Sequence, residues 1–206
     1  MSKLAHAEQI YFADRKALRS WFAKNHTKVE SFCLIYDKTV KGERKLSYDD
    51  IVDECLCFGY IDSQPRKISA TQAGYYISRR KPKSEWSKRN KMKITELTKK
   101  KLMHAQGLAA VTLAKKNGAW NKIDGSENHE EPEDFKAALK KNKKFRAHFD
   151  QLAPSTRKAF LHRLLSAKTK ETRAKRLQFL LQLLEVEMQP SEFRLAFTKG
   201  VIPKRS

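Results

Sequence analysis

The stretch LSYDDIVDECLCFGYIDSQPRK, residues 46–67, changes character at its single glycine, and the fold of the N-terminal half follows from that change. Ser47 with Asp50 three residues on is a capping box, and Asp49 and Asp50 meet the positive end of the helix that it opens. Gly59 ends that helix, because only glycine enters the left-handed conformation cheaply. Beyond it, YIDSQPRKI and AGYYISRR read as two short strands joined by a polar loop, a hairpin with aromatics on one face. Upstream, FADRKALRSWFAKN spaces Phe12, Leu18, Trp21 and Phe22 for an amphipathic helix with Asp14 as its cap, and SFCLIYD (31–37) is a strand, followed by a turn at Gly42.

Further along, SEWSKRNKMKITELTKKKLM predicts a helix from Ser84 with Trp86, Ile94 and Leu97 on one side and cations over most of the rest. QGLAAVTLAKKNGAW is a further helix, stopped by Gly118. NKIDGSENHEEPEDF is polar and rich in turn formers, and marks a linker. The remainder is helical: Pro132, Glu133 and Asp134 open one helix, Pro154 and Ser155 another. TRKAFLHRLLSAK and TKETRAKRLQFLLQLLEVEM then form a helical hairpin broken near Thr169. The expected class is α+β: a small antiparallel sheet packed with helices in the N-terminal part, followed by an all-helical C-terminal part. The expected domains are 1–125, a helical sub-domain 126–190, and a basic tail 191–206 without periodicity, in which Phe193 and Phe197 are available to dock.

Composition narrows the function classes. In 206 residues, 40% are hydrophobic and 10% aromatic, enough for a core, so wholesale disorder is excluded although 33% are charged. Lys and Arg number 44 against 23 Asp and Glu, a formal net charge of +21 that favours an anionic neighbour. The excess is uneven: residues 1–60 hold 10 basic and 9 acidic side chains, whereas 61–125 hold 16 and 4. Cys33, Cys55 and Cys57 are too few and too irregularly spaced for a disulfide scaffold. With no leader-like N-terminus and no long apolar run, a cytoplasmic protein without membrane insertion is expected.

DECLCFGYIDSQ, then SRRKPKSEWSK, GLAAV and GAW, and finally LAPSTRKAFLHRLLSAKTKETRAKR resemble, over residues 10–189, the YdeI/OmpD-associated family of bacteriocin-protection proteins. Tyr60 stands where that family has Trp, Ser63 where it has a second Gly, and Ser78, Lys81 and Glu85 also depart from its pattern. The resemblance implies a soluble bacterial protein, an N-terminal α+β part, a C-terminal helical part and a loose association with envelope stress. It implies no reaction and no cofactor.

The residues themselves offer competing sites. Cys55-x-Cys57 lacks the second pair that a zinc site needs, and the six histidines show no metal-binding spacing. Cys57 as a nucleophile is disfavoured by its position near a helix C-terminus, so packing is the expected role. Asp62 stands among cations, as an ion-pair partner or as a polar lip with Gln64. From Arg79 to Lys93 there are eight basic residues against one acid, with Tyr75, Tyr76 and Trp86 alongside, the mixture of cations and stacking faces that polyanion sites use. Three readings follow. One is an accessory protein binding an anionic partner (nucleic acid, acidic protein or phosphorylated ligand) through Asp62, Gln64, Arg79, Arg80, Lys83, Trp86, Lys88 and Arg89. Another is an enzyme of unknown reaction with a pocket lined by Asp62, Gln64 and Arg80. The last is a protein–protein adaptor in stress response.

Overall fold

The computed structural model describes residues 7–39, 45–186 and 190–202, so the turn expected at Gly42 lies outside the described residues. The chain divides into two compact units between Asn121 and Lys122.

In the first unit the capping box forms as the sequence requires. Ser47 Oγ accepts from the Asp50 N–H at 3.1 Å, Asp50 Oδ2 accepts from the Ser47 N–H at 3.0 Å, and helix α2 runs Tyr48–Phe58. Helix α1, Arg15–Asn25, starts at Asp14, whose Oδ1 accepts from the Ala17 N–H at 2.8 Å. Gly59, at φ +76°, closes α2. Strand β3 (Tyr60–Lys67) follows at once and pairs antiparallel with β4 (Gln72–Arg79). Their register slips between Asp62 and Pro65, and β3 lies at the sheet edge, where a residue without an N–H is tolerated.

Strand β2, Ser31–Asp37, pairs antiparallel with β4. A further strand, β1 (Gln9–Tyr11), runs parallel to β2, so the sheet is mixed, with order β1-β2-β4-β3. Three residues carry too little alternation to announce a strand, and β1 is held by its partner. Phe22 of α1 stacks on Phe58 of α2 with ring centroids 5.2 Å apart and meets Tyr60 of β3 at 5.0 Å. Each such buried ring contributes on the order of 2–3 kcal/mol.

The basic helix starts later than its sequence suggests. Ser84 Oγ accepts from the Lys81 N–H at 3.1 Å in a turn, and Ser87 caps α3 (Lys88–Lys99) by accepting from the Asn90 N–H at 3.2 Å. Trp86 therefore precedes the helix and is buried in the core. Helix α4 covers Ala105–Lys116, and Gly118 beyond it is left-handed at φ +78°.

The second unit contains the short α5 (Asp124–Glu127), then α6 (Glu133–Lys141), α7 (Lys143–Gln151), α8 (Pro154–Leu165), α9 (Lys170–Glu185) and α10 (Pro190–Lys199). Phe135, Phe149 and Phe160 meet with centroids 5.0–5.2 Å apart, and Leu180, Leu183 and Leu184 complete the core. Helix α10 corrects the expectation of an irregular tail. Phe193 and Ala196, three apart, are buried, and Phe197 stacks 6.3 Å from Phe160. Ten residues gave too short a pattern to read. Among the described residues no helix is long and apolar enough to cross a membrane.

Candidate functional site

Arg80 is the first residue beyond β4, and its N–H donates to the Gly59 carbonyl at 2.9 Å, which extends the β3–β4 pairing by one step. The turn at Lys81–Ser84 then brings the chain back. As a result the Glu85 carbonyl accepts from Arg80 Nη1 at 3.1 Å, and the guanidinium lies 3.9 Å from the centroid of the Trp86 ring. Trp86 is backed by Trp120 at 5.2 Å. Opposite stands α4, brought close because Gly107 has no Cβ.

Between them is a cleft of about 160 Å³. Its polar side is Arg79, Arg80, Lys81 and Gln106; its apolar side includes Pro82, Trp86, Ala109, Ala110 and Leu113.

Arg80 is 9% exposed, and its Nε has no hydrogen-bond acceptor. Burial lowers its pKa to about 10, partly opposed by the Cys55 and Asp62 groups, so it remains a cation at neutral pH. Among the described residues no carboxylate hydrogen-bonds to it. A buried charge without a hydrogen-bonded carboxylate costs several kcal/mol, offset in part by the nearby Asp62 charge and by stacking on Trp86, the latter worth about 2 kcal/mol.

Of the residues singled out from sequence, Arg79, Arg80 and Trp86 line this cleft. Arg79 is largely committed elsewhere: it donates to the His26 carbonyl at 2.7 Å and the Val29 carbonyl at 3.3 Å, and its Nε lies 3.0 Å from Glu30 Oε1. Asp62 does not reach the lining. Its Oδ2 accepts from the Tyr48 hydroxyl at 2.7 Å, and burial together with that bond pushes the Tyr48 phenol above its ordinary range. Gln64 is exposed on β3; Lys83 and Lys88 are exposed on either side of Ser87. Arg89 contacts Asp49 at 2.5 Å and lies over Tyr48.

An ion-pair network that sequence reasoning missed explains where much of the charge goes. Glu54 on α2 is fully buried and accepts from Arg15 Nε at 2.8 Å and Arg19 Nη1 at 2.9 Å, both on α1. On the other flank Lys93 of α3 lies 2.7 Å from Asp53 and 3.0 Å from Asp49. The acidic residues of α2 are thus clamped between two basic helices. Four acids at positions 49, 50, 53 and 54 were the available signal: more than a capping box requires, on a helix that is otherwise buried.

Cys55 and Cys57 are buried and free. Burial pushes the Cys57 thiol up to about 11 and raises Cys55 as well, which is the character of packing residues, not of nucleophiles. Among the described residues no group of three or more His, Cys, Asp or Glu side chains could hold a metal ion.

Two family models match. Residues 10–110 match a domain of unknown function (DUF8412), and residues 128–186 match the family described as bacteriocin-protection, YdeI or OmpD-associated. The resemblance read from the sequence is shown over that second segment, whereas the CFGYIDSQ and RRKPKSEWS motifs fall under the first model. No curated protein and no solved structure matches the chain.

Proposed function

We propose that this protein, whose residues 128–186 form a YdeI/OmpD-associated domain, is an accessory protein of bacteriocin protection whose N-terminal unit binds a small anionic ligand in the cleft around Arg80. The observation that carries this reading is the largely buried Arg80 guanidinium, which lines the cleft, stacks on Trp86 and has no carboxylate hydrogen-bonded to it among the described residues. A cation in that position, with Asp62 acting on it only without a direct bond, favours an anion from outside the chain. The outer face of α3 supports polyanion binding less well, because Arg89 and Lys93 are engaged by Asp49 and Asp53. A cytoplasmic location accords with three free, buried thiols.

The test is calorimetry with acetate, inorganic phosphate and duplex DNA against wild type, Arg80→Gln and the double variant Lys83→Ala/Lys88→Ala. Binding of a small anion, lost in Arg80→Gln and kept in the lysine variant, is the expected result. Saturable DNA binding that weakens steeply with salt and is lost in the lysine variant would restore the polyanion reading instead.

A further inference from the structure

We infer that the second unit holds a site for a compact oligophosphate, two or three linked phosphoryl groups, in the groove between α6 and α7. It is independent of the Arg80 cleft, and neither reading needs the other. The run KKNKK, residues 140–144, ends one helix and begins the next. The break falls at Asn142, whose Oδ1 accepts from the Lys144 and Phe145 N–H groups at 3.0 and 3.4 Å. Across it, Lys140 of α6 and Lys143 of α7 line one groove of about 460 Å³ together with Glu131, Lys136, Leu139 and Arg146.

The four cations differ in what already holds them. Arg146 Nη1 donates to both oxygens of Glu131, at 2.8 and 2.9 Å, and its Nε donates to Asp150 at 2.8 Å. Its fork is therefore closed, and the one carboxylate of the lining is neutralised. Lys136 meets Glu133 at 2.8 Å, but both ends of that pair are more than half exposed, so an incoming anion displaces it at little cost. Lys140 and Lys143 are exposed and make no ion pair or side-chain hydrogen bond among the described residues. Two uncommitted ammonium groups and a third that is loosely held thus border the same space, all within reach of solvent.

The class of ligand follows from these groups. Lysine is a compact point charge with three rotatable donors and suits phosphoryl oxygens, whereas a carboxylate is best met by an arginine fork, and the fork here is taken. One exposed ammonium holds an anion weakly, so occupancy calls for several charges on one molecule. The groove falls within the roughly 300–1,000 Å³ of small-molecule sites. A nucleic-acid strand fits less well, because it needs a cationic track that continues. This one is bounded along the chain by acids at 130, 131, 133 and 134 before it and by Asp150 after it.

Two sources supply this chemistry: an inorganic oligophosphate, or the phosphate chain of a nucleotide. Calorimetric titration of the full chain, without divalent cations, with inorganic phosphate, inorganic triphosphate, adenosine triphosphate and a short single-stranded DNA separates them. Triphosphate should bind about tenfold more tightly than inorganic phosphate, and Lys140→Gln/Lys143→Gln should weaken it by about tenfold with the melting temperature unchanged. Lys168→Gln/Lys175→Gln removes the same charge from exposed positions outside the lining and should bind as wild type does. Arg80→Gln should also leave the triphosphate affinity unchanged, so that loss of the Arg80 site and loss of this one are read separately. Adenosine triphosphate binding tighter than triphosphate assigns the site to a nucleotide, and the reverse order assigns it to an inorganic chain. Equal weakening by the two lysine pairs would reduce the effect to net charge and overturn the site. DNA that binds tighter than triphosphate and responds to both pairs overturns it in favour of a polyanion surface. Absence of saturable binding by either triphosphate overturns it outright.

Discussion

A Cβ on Gly107 would lie 2.2 Å from the carbonyl oxygen of Cys57 and 2.6 Å from that of Leu56, so the first turn of α4 rests directly on the last turn of α2. The His104 N–H donates to the same Cys57 carbonyl at 3.1 Å, which answers an acceptor left over at the helix end. Gly59, at the junction, comes within 3.2 Å of the Gln106 carbonyl if given a Cβ. Two glycines therefore set the distance between α2, β3 and α4, and with it one wall of the cleft.

Gly107→Ala tests that contact through the sign of its effect. Helix propensity alone predicts a gain of about 1 kcal/mol for replacing glycine inside a helix. The clash is with backbone, which cannot swing aside, so a net loss of about 2 kcal/mol is expected in urea denaturation. Gly118→Ala is the control. Its φ of +78° carries strain, yet nothing lies within 4 Å, so the expected cost is about 1 kcal/mol.

Glu54 offers a second measurement. Its carboxylate is fully buried and is shared by Arg15 and Arg19. Arg19→Met leaves it half-compensated and also strips a donor, at 2.7 Å, from the Leu102 carbonyl. A loss of about 3 kcal/mol is expected, against a change within about 0.5 kcal/mol for Lys83→Met on the surface. Equal effects would mean that the network holds nothing together.

The response to acid has a defined sign. Burial, then the His26 and Arg19 charges, lower the His104 pKa below its ordinary value of 6.5, and the neutral Nδ1 accepts from the Gln106 N–H at 3.3 Å to cap α4. The unfolded chain therefore binds a proton more readily than the folded one. His104 contributes its full stability above pH 6.5, and that contribution falls as pH drops through this value. His104→Asn, which caps without titrating, should flatten the pH 5–7 portion of the stability curve. A curve unchanged by the substitution would remove His104 as the cause.

Much of the fold was legible because its signals are local. The Ser47–Asp50 box, the Asp14 cap and the Gly59 stop are each written within four residues and appear where expected. The cleft was only half legible. Arg80 and Trp86 are close in sequence, but their stacking depends on the turn at Ser84, whose hydroxyl reads equally well as a helix cap. Asp62 and Gln64 looked like members of the same site because they follow the glycine stop, yet strand alternation turns Asp62 toward Tyr48 and the register slip leaves Gln64 in solvent. The Arg15–Glu54 pairing spans 39 residues, and no local pattern announces it.

Thiol chemistry separates packing from catalysis. With Cys57 pushed up to about 11 by burial, and all three cysteines buried, an aromatic disulfide reagent at pH 8 should modify them only as fast as the unit opens. Rates should therefore climb with urea, in step with unfolding. A thiol that reacts at once in the native protein would return Cys57 to consideration as a nucleophile.

The basic helix can be judged by what its cations support. Lys93 and Asp53 are only 16% and 17% exposed at 2.7 Å, so Lys93→Ala should cost about 1–2 kcal/mol of stability. Arg89 and Asp49 are more than half exposed, which screens their pair to about 0.5 kcal/mol. Lys83 and Lys88 are exposed and make no ion pair or side-chain hydrogen bond among the described residues, so Lys83→Ala and Lys88→Ala should leave the melting temperature unchanged. If α3 and the turn before it were instead a polyanion surface, replacing Lys83, Lys88, Arg89 or Lys93 by Ala would weaken DNA binding by similar factors with stability untouched. A graded loss of stability, Lys93 above Arg89 above the two free lysines, is the outcome expected of a helix whose charge holds α2 in place.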